Sequence, residues 1–150
     1  MEAALARFGR IDVVVNTLRA TLPTLRAQRS GHVLNIGSVV GFVTAPAAGP
    51  YGASKFALEG VSEALHGESA PLGVRVTIVE PGRFRTDFLS SPSMQFEPAS
   101  IADYADITEV AEPPLRLQLG VDAIERVEAK LDLVRSELGR WRHVALSTGL

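Results

Sequence analysis

The sequence predicts an α/β fold in which a parallel sheet of about four strands is flanked by helices. Short runs rich in β-branched residues are apolar on both faces, as in IDVVVN (11–16) and VRVTIVEPG (74–82). Such runs are typical of strands buried inside a parallel sheet. Segments with helical periodicity separate these runs, and strands that alternate with helices imply parallel pairing.

The N-terminal part of the chain predicts a helix, a strand and a second helix. EAALARFG (2–9) has the pattern of the last turns of a helix, which its glycine ends. IDVVVN (11–16) is the first strand. The following segment, 17–31, is helix-like, and we expect Pro23 to interrupt it and Gly31 to end it.

The middle of the chain predicts a strand, a helix and a strand. HVLNIGS (32–38) is the second buried strand, and a loop of glycine, alanine and proline follows it. Pro50 suits the first position of a helix, which we expect over 51–69. The third strand, 74–82, stops at a Pro-Gly pair.

The C-terminal part predicts a loop, a strand and a strongly amphipathic helix. Residues 83–113 are weakly periodic and predict a loop with at most one short helix, whereas PLRLQL (114–119) predicts a fourth strand. The last helix is expected over 121–141, where Trp141 would pack it against the sheet. Its apolar stripe comprises Val121, Ile124, Val127, Leu131, Val134 and Leu138.

The composition excludes several classes of function. The chain has 150 residues, a net charge of −2 and no cysteine, which argues against a nucleic-acid groove, disulfides and thiolate chemistry. It has no signal peptide or uninterrupted apolar span, so we expect a cytoplasmic protein of one domain without a membrane partner. Its three histidines, His32, His66 and His143, are scattered, and no metal site is expected.

Tyr51 and Lys55 form the pattern with the most chemical content. They stand at positions i and i+4, so they share one face of the predicted helix. A free tyrosine has a pKa near 10, and a neighbouring ammonium group favours the phenolate and lowers that pKa. Such a pair can act as a general acid and base. The small residues at 52–54 would let a flat ligand or another helix approach closely.

An isolated Y-x-x-x-K on a helix is common by chance and usually marks only a solvated pair. Here Ser38 stands thirteen residues earlier, at the carboxyl end of a predicted parallel strand. Ligands bind at that edge in open α/β sheets, and a hydroxyl there could hold a substrate oxygen. This context favours the functional interpretation.

Three segments, VLNIGSVVG (33–41), YGASK (51–55) and VEPGRFRT (79–86), together resemble the classical short-chain dehydrogenase/reductase family. The resemblance implies an NAD(P)-dependent oxidoreductase that interconverts an alcohol and a carbonyl compound by hydride transfer. It implies a catalytic set of Ser38, Tyr51 and Lys55, with Tyr51 as the acid/base. The implied cofactor-binding residues are Asn16, Tyr51, Lys55, Pro81, Gly82 and Thr86.

The chain also departs from the family pattern. The family opens with a T-G-x-x-x-G-x-G turn that holds the pyrophosphate, and these 150 residues contain no such motif. We therefore expect residues 1–150 to form a single domain, the C-terminal part of a partial doubly wound, Rossmann-like fold. Internal deletions are expected after Asn16 and near DYADITEVAEPP (103–114), and the first strand would become an unprotected edge.

Two functions remain open from the sequence. One is an active oxidoreductase that uses NAD or NADP on a small-molecule alcohol or carbonyl substrate. The other is a truncated, inactive remnant that serves, if at all, as an interaction or dimerisation module. The family resemblance implies a possible homo-oligomer through the helix bearing Tyr51. The sequence gives neither the substrate nor the choice between NAD and NADP.

Overall fold

A computed structural model of the protein describes residues 2–15, 18–82 and 105–147. Four parallel strands form one sheet, in which each strand pairs with its neighbour in the chain. This arrangement confirms the predicted α/β class and the parallel sheet. The strands are β1 (Val13–Val15), β2 (Gly31–Ile36), β3 (Val74–Pro81) and β4 (Arg116–Leu119).

Helices connect the strands in the predicted order. The structure has α1 (Glu2–Phe8), α2 (Leu18–Gln28), α3 (Gly49–Ser69), α4 (Ala105–Glu109) and α5 (Val121–Ser147). Two short 3-10 helices, Val39–Gly41 and Ala70–Leu72, flank α3. The single short helix expected within 83–113 corresponds to α4.

The two central strands carry the core. Val33, Val74 and Val76 pack in one apolar cluster with Leu65 of α3, whereas Leu34 and Val79 belong to a second cluster. Because both faces of these strands are covered, their residues can be apolar without alternation, which is the pattern that the sequence displays.

The parallel pairing brings the carboxyl ends of the strands to one edge of the sheet. Pro81 at the end of β3 lies opposite Leu119 at the end of β4. β2 ends beside them, since Ile36 is paired with Val79. The segments that follow these strands, including Ser38 and Gly82, therefore lie at the edge where ligands bind in open α/β sheets.

The prediction that Pro23 interrupts the second helix is wrong. α2 runs through Pro23, which is exposed. α2 lacks the backbone hydrogen bond that residue 23 would otherwise donate to the Arg19 carbonyl, yet the helix continues to Gln28. Gly31 does not end α2 either; Arg29 takes the left-handed conformation after the helix, and Gly31 begins β2.

The expected packing of the last helix is also wrong. α5 continues to Ser147, and Trp141 is 59% exposed rather than packed against the sheet. Much of the predicted apolar stripe is exposed as well, with Val121 at 73% and Leu138 at 67%. The stripe is present in the sequence, but the described part of the sheet extends only to the first turns of this helix.

Candidate functional site

Ser38 lies just beyond the carboxyl end of β2. It precedes the 3-10 helix Val39–Gly41, and its Oγ accepts a hydrogen bond from the backbone N–H of Val40 at 3.2 Å. A serine suits this position because its oxygen caps a backbone donor that has no partner within the helix. The capping bond fixes the hydroxyl at the sheet edge.

Lys55 ties α3 to the same edge. Its Nζ donates a hydrogen bond to the backbone carbonyl of Ile36 at 3.1 Å, two residues before Ser38. The same Nζ lies 5.8 Å from the centre of the Tyr51 ring. Tyr51, Lys55 and the segment bearing Ser38 are thus grouped at one end of β2, as the spacing in the sequence predicts.

The environment of Lys55 weakens its hold on its proton. Burial lowers the pKa of Lys55 below its usual value, because the ammonium group loses contact with water. The side chain is half-buried, so the ammonium keeps partial access to solvent. Lys55 thus holds its ammonium group near the Tyr51 ring while it donates a hydrogen bond to the backbone of β2.

Two glycines explain how closely α3 approaches the loop after Ser38. A Cβ on Gly41 would lie 3.0 Å from the backbone of Lys55, and one on Gly52 would lie 2.6 Å from the Thr44 hydroxyl. Gly52 therefore makes room for the protein's own loop rather than for a ligand. Ala53 and Ser54, in contrast, are exposed.

Pro81 and Gly82 end β3 next to β4 and α5. The Gly82 N–H donates to the carbonyl of Leu119 at 2.9 Å. A Cβ on Gly82 would collide with the carboxylate of Asp122. Residue 82 must therefore be glycine because Asp122, in the first turn of α5, occupies the space that a Cβ would need.

Two predicted cofactor-binding residues, Asn16 and Thr86, lie outside the described residues. Their interpretation rests on the sequence alone. Of the predicted set, the structure brings together Tyr51, Lys55 and the Ser38 segment, with Pro81 and Gly82 at the end of the adjacent strand.

The structure adds a buried charged cluster that the sequence analysis does not identify. Glu59 of α3 and Glu80 of β3 are both buried, and Arg116 of β4 reaches them. Arg116 Nε lies 3.0 Å from Glu59 Oε2 and 3.7 Å from Glu80 Oε1. Its other arm contacts the exposed Glu63 at 2.8 Å, and Gln118 donates to Glu80 at 3.1 Å.

Two buried carboxyl groups share a single guanidinium group in this cluster. Ionisation of both is unfavourable, because burial removes water from each carboxylate and one positive charge cannot neutralise two negative ones. Desolvation, followed by repulsion from Glu80, raises the pKa of Glu59 to about 7 despite the opposing effect of Arg116. Desolvation also raises the pKa of Glu80. Among the described residues, Oε1 of each carboxyl group has no hydrogen-bond donor. A proton on Glu59 removes one of the two buried charges.

The cluster is connected to the Ser38 segment. A Cβ on Gly37 would lie 3.3 Å from Glu59 Oε1, so the carboxyl group lies directly beneath the residue before Ser38. One signal in the sequence could have indicated this: Glu59 stands four residues after Lys55, on the same helix face. Its contact with Arg116 spans 57 residues and carries no local signal.

A family model described as short chain dehydrogenase matches residues 10–95. The match takes in β1, β2, α3 and β3, and with them Ser38, Tyr51 and Lys55. The chain belongs to the short-chain dehydrogenase family. The resemblance carried by the three sequence segments is therefore confirmed at the level of the family.

Curated relatives agree with this membership. The oxidoreductase BOA17 of Botryotinia fuckeliana is 33% identical over 201 residues, which cover 95% of this chain and 73% of the relative. The 3-ketodihydrosphingosine reductase of Bacteroides thetaiotaomicron is 43% identical over 93 residues, or 62% of this chain and 35% of the relative. Since the 201-residue alignment exceeds this chain's 150 residues, parts of BOA17 have no counterpart here.

Solved structures agree on the fold. A short-chain dehydrogenase from Streptomyces avermitilis superposes with a TM-score of 0.83 at 31% identity, covering 99% of this chain and 75% of that one. A short-chain dehydrogenase from Burkholderia cenocepacia, solved in complex with NADP, gives a TM-score of 0.68 at 20% identity. It covers 92% of this chain and 71% of that one. The second likeness concerns the fold alone.

The donors at the end of β2 fit one part of a nicotinamide dinucleotide. Lys55 Nζ carries three hydrogens as an ammonium group, which is a type of donor that suits a ribose hydroxyl. The same cannot be said of the pyrophosphate group, since residues 1–150 do not contain the glycine turn that binds it in the family. In the described part of the chain, no three His, Asp or Glu side chains are grouped to bind a metal.

None of the described helices combines the length and the apolar character needed to cross a membrane.

Proposed function

We propose that this protein carries the substrate-side half of an NAD(P)-dependent oxidoreductase site for alcohol and carbonyl interconversion. One observation carries the proposal: Lys55 bonds to the carbonyl of Ile36 at 3.1 Å and lies 5.8 Å from the Tyr51 ring. That arrangement joins the helix bearing Tyr51 to the strand end bearing Ser38. Membership of the short-chain dehydrogenase family supports the reaction class.

In this proposal the three side chains divide the work. Tyr51 gives a proton to the carbonyl oxygen in reduction and takes it back in oxidation. Ser38 donates a hydrogen bond to the same oxygen and orients it. Lys55 holds positive charge near the Tyr51 ring and binds a ribose hydroxyl. A bound nicotinamide cofactor would supply or accept the hydride.

We propose further that Pro81 and Gly82 begin the wall beside the nicotinamide, and that Asn16 and Thr86 complete the cofactor contacts. The cofactor is NAD or NADP; the Burkholderia neighbour solved with NADP is consistent with that class. Residues 1–150 then act as one domain, the C-terminal part of the family's Rossmann fold. The substrate is a small-molecule alcohol or carbonyl compound.

The alternative is a non-catalytic remnant of the family. In this alternative, residues 1–150 do not bind the dinucleotide, because they do not contain the T-G-x-x-x-G-x-G turn whose backbone donors hold the pyrophosphate in the family. The chain spans 73% of BOA17 and half or less of several other curated relatives. The two functions make different demands on residues 1–150, because only an oxidoreductase must bind a nicotinamide dinucleotide.

We expect this chain alone to bind NADH and NADPH only weakly. A few hydrogen bonds worth about 0.5–1.5 kcal/mol each cannot offset an association cost of several kcal/mol. A dissociation constant of roughly 1 mM or weaker is expected. Calorimetric titration of the purified chain measures it, and saturation at low micromolar cofactor would contradict the expectation.

The catalytic proposal is tested in a chimera that joins a family segment bearing the T-G-x-x-x-G-x-G turn to this chain. The chimera is expected to oxidise or reduce members of an alcohol and carbonyl panel with NAD(H) or NADP(H). A chimera that binds the dinucleotide tightly but turns over no substrate would favour the remnant. The binding measurement thus separates a missing cofactor from a missing catalytic set.

A further inference from the structure

The last helix carries an apolar seam that the described part of the protein does not cover. Within α5, apolar residues recur at alternating spacings of three and four, which is the heptad pattern of a coiled coil. Most are well exposed, and Leu138 reaches 67% and Trp141 59%. The seam comprises Ile124, Val127, Leu131, Val134, Leu138 and Trp141.

Within the described part of the protein, α5 is anchored at its beginning. Ala123 is fully buried, and Arg126 donates to the carbonyl of Val43 at 2.8 Å. From Leu131 to Val144 every residue is exposed. The helix therefore extends beyond the described sheet for more than three turns, and the seam is exposed there.

Charged residues line both sides of the seam. Glu128 and Arg135 lie on one flank, and Lys130 and Glu137 lie on the other, at the positions that set orientation in coiled coils. Glu128, Lys130 and Glu137 form no ion pair with other described residues, and Arg135 has only a 3.5 Å contact with the exposed Asp132. These charges are available to a partner.

We propose that α5 is a self-association surface on which the same helix of a second copy packs in antiparallel orientation. When Leu131 faces Val134 of the second copy, Lys130 lies near Glu137 of that copy, and Glu128 lies near its Arg135. The twofold symmetry of such a pair repeats both contacts. The dimer then has four attractive charge pairs and no repulsive pair along the seam.

A parallel arrangement fits the charges less well. In parallel coiled coils a residue on the flank of Lys130 meets the residue five positions later on the other helix, so Lys130 would face Arg135. By the same spacing, Glu137 would face Arg142. The parallel dimer would then have two repulsive contacts beside two attractive ones, whereas the antiparallel dimer has four attractive contacts. The charge pattern of α5 therefore favours the antiparallel dimer, and the surface is distinct from the helix bearing Tyr51.

The test measures self-association of the full chain by sedimentation equilibrium. Wild type is expected to form a reversible dimer, whereas Leu138→Asp is expected to be monomeric over the same concentrations. Because Leu138 is exposed, the variant should keep the wild-type circular dichroism spectrum and melting temperature when both are diluted to monomer. A wild-type chain that stays monomeric, or a dimer that Leu138→Asp leaves intact, would overturn the proposal.

Charge reversal tests the orientation. In the antiparallel dimer, residue 130 lies near Glu137 of the second copy. Lys130→Glu is therefore expected to weaken the dimer roughly tenfold, since two attractive contacts become repulsive. The double variant Lys130→Glu/Glu137→Lys restores the pairs and should return near to wild-type affinity. Arg140→Glu, the same charge change away from the seam, is the matched control. If Lys130→Glu strengthens association, the helices are parallel and the proposed arrangement is wrong.

Discussion

The helices α3 and α5 are the two longest of the described helices, and they differ in whether their apolar residues are buried. α3 has 21 residues and buries mainly small or polar ones: Gly52, Glu59, Ser62, Leu65 and Ser69. α5 has 27 residues and a clear apolar stripe, yet most of that stripe is exposed. The helix with the weaker apolar pattern is thus the one that is integrated into the fold.

Contacts with the central strands explain the difference. α3 is bonded to the backbone or side chains of β2 and β3 at three levels, through Lys55 to Ile36, Ser62 to Asn35 and Ser69 to Val74. Among residues 2–15, 18–82 and 105–147, the contacts of α5 with the sheet and its loops come from the first turns of this helix. Burial of a helix face therefore depends on what lies opposite it. Apolar periodicity shows which face could be buried, but not whether that face is buried.

Catalysis should show the largest difference between α3 and α5, since the proposed catalytic residues Tyr51 and Lys55 lie on α3. In the chimera, Tyr51→Phe removes only the phenolic oxygen and should lower turnover roughly 100-fold or more, the scale of general acid–base catalysis. Glu125→Gln, on the exposed surface of α5 and outside the seam, is the control and should leave turnover unchanged. Steady-state rates with a responsive substrate measure both. Unchanged turnover by the Tyr51 variant would remove that residue from the proposed mechanism.

Equal truncations of a leucine in each helix should have unequal effects on folding. Leu65→Ala on α3 empties part of the core and is expected to cost about 2–5 kcal/mol of unfolding free energy. Leu138→Ala on α5 should cost less than about 0.5 kcal/mol, because the side chain is exposed in the monomer. Urea denaturation at a concentration where the chain is monomeric compares them. Similar losses would mean that α5 is packed in solution.

The buried Glu59 should make stability depend on pH. Its pKa is raised from 4.5 to about 7 in the folded state, so the folded protein holds the proton more tightly than the unfolded chain. The contribution of Glu59 to stability is fully present below the pKa of Glu59 in the unfolded chain, 4.5, and it is lost as the pH rises through about 7. The loss is about 3 kcal/mol by linkage.

Glu59→Gln isolates that contribution. The variant should be the more stable protein at pH 8 and should lack the fall in unfolding free energy between pH 5 and 8 that Glu59 causes in wild type. Glu125→Gln, on the exposed surface of α5, should keep the wild-type slope. Urea midpoints across the pH range provide the measurement. A variant with the wild-type slope would show that Glu59 stays ionised throughout.

The smallest effects are expected from two glycines. Gly41→Ala inserts a Cβ 3.0 Å from the backbone of Lys55, and we expect a cost of about 1–3 kcal/mol. Gly139→Ala on α5 meets nothing within 4 Å and should stabilise the helix by about 0.5–1 kcal/mol. Thermal melts compare the signs. Stabilisation by Gly41→Ala would mean that α3 does not pack closely on the 3-10 helix.

The sequence by itself determines the order of the elements and the class of the fold. β-branched runs mark the strands, and their alternation with helices requires parallel pairing, which brings the strand ends to one edge. The spacing of Tyr51 and Lys55 likewise sets their common helix face. These are properties of short segments, so they can be read without knowing what surrounds the segment.

Only the tertiary structure decides which helix face is covered and which distant side chains meet. Arg116 contacts Glu59 across 57 residues of chain, and the resulting shift in the pKa of Glu59 follows from burial that no local pattern records. The stripe on α5 predicts burial just as the strands do, but no described strand lies opposite its second half. The physical reason is that hydrophobic burial and desolvation are properties of a contact between segments, and a sequence pattern supplies only one side of it.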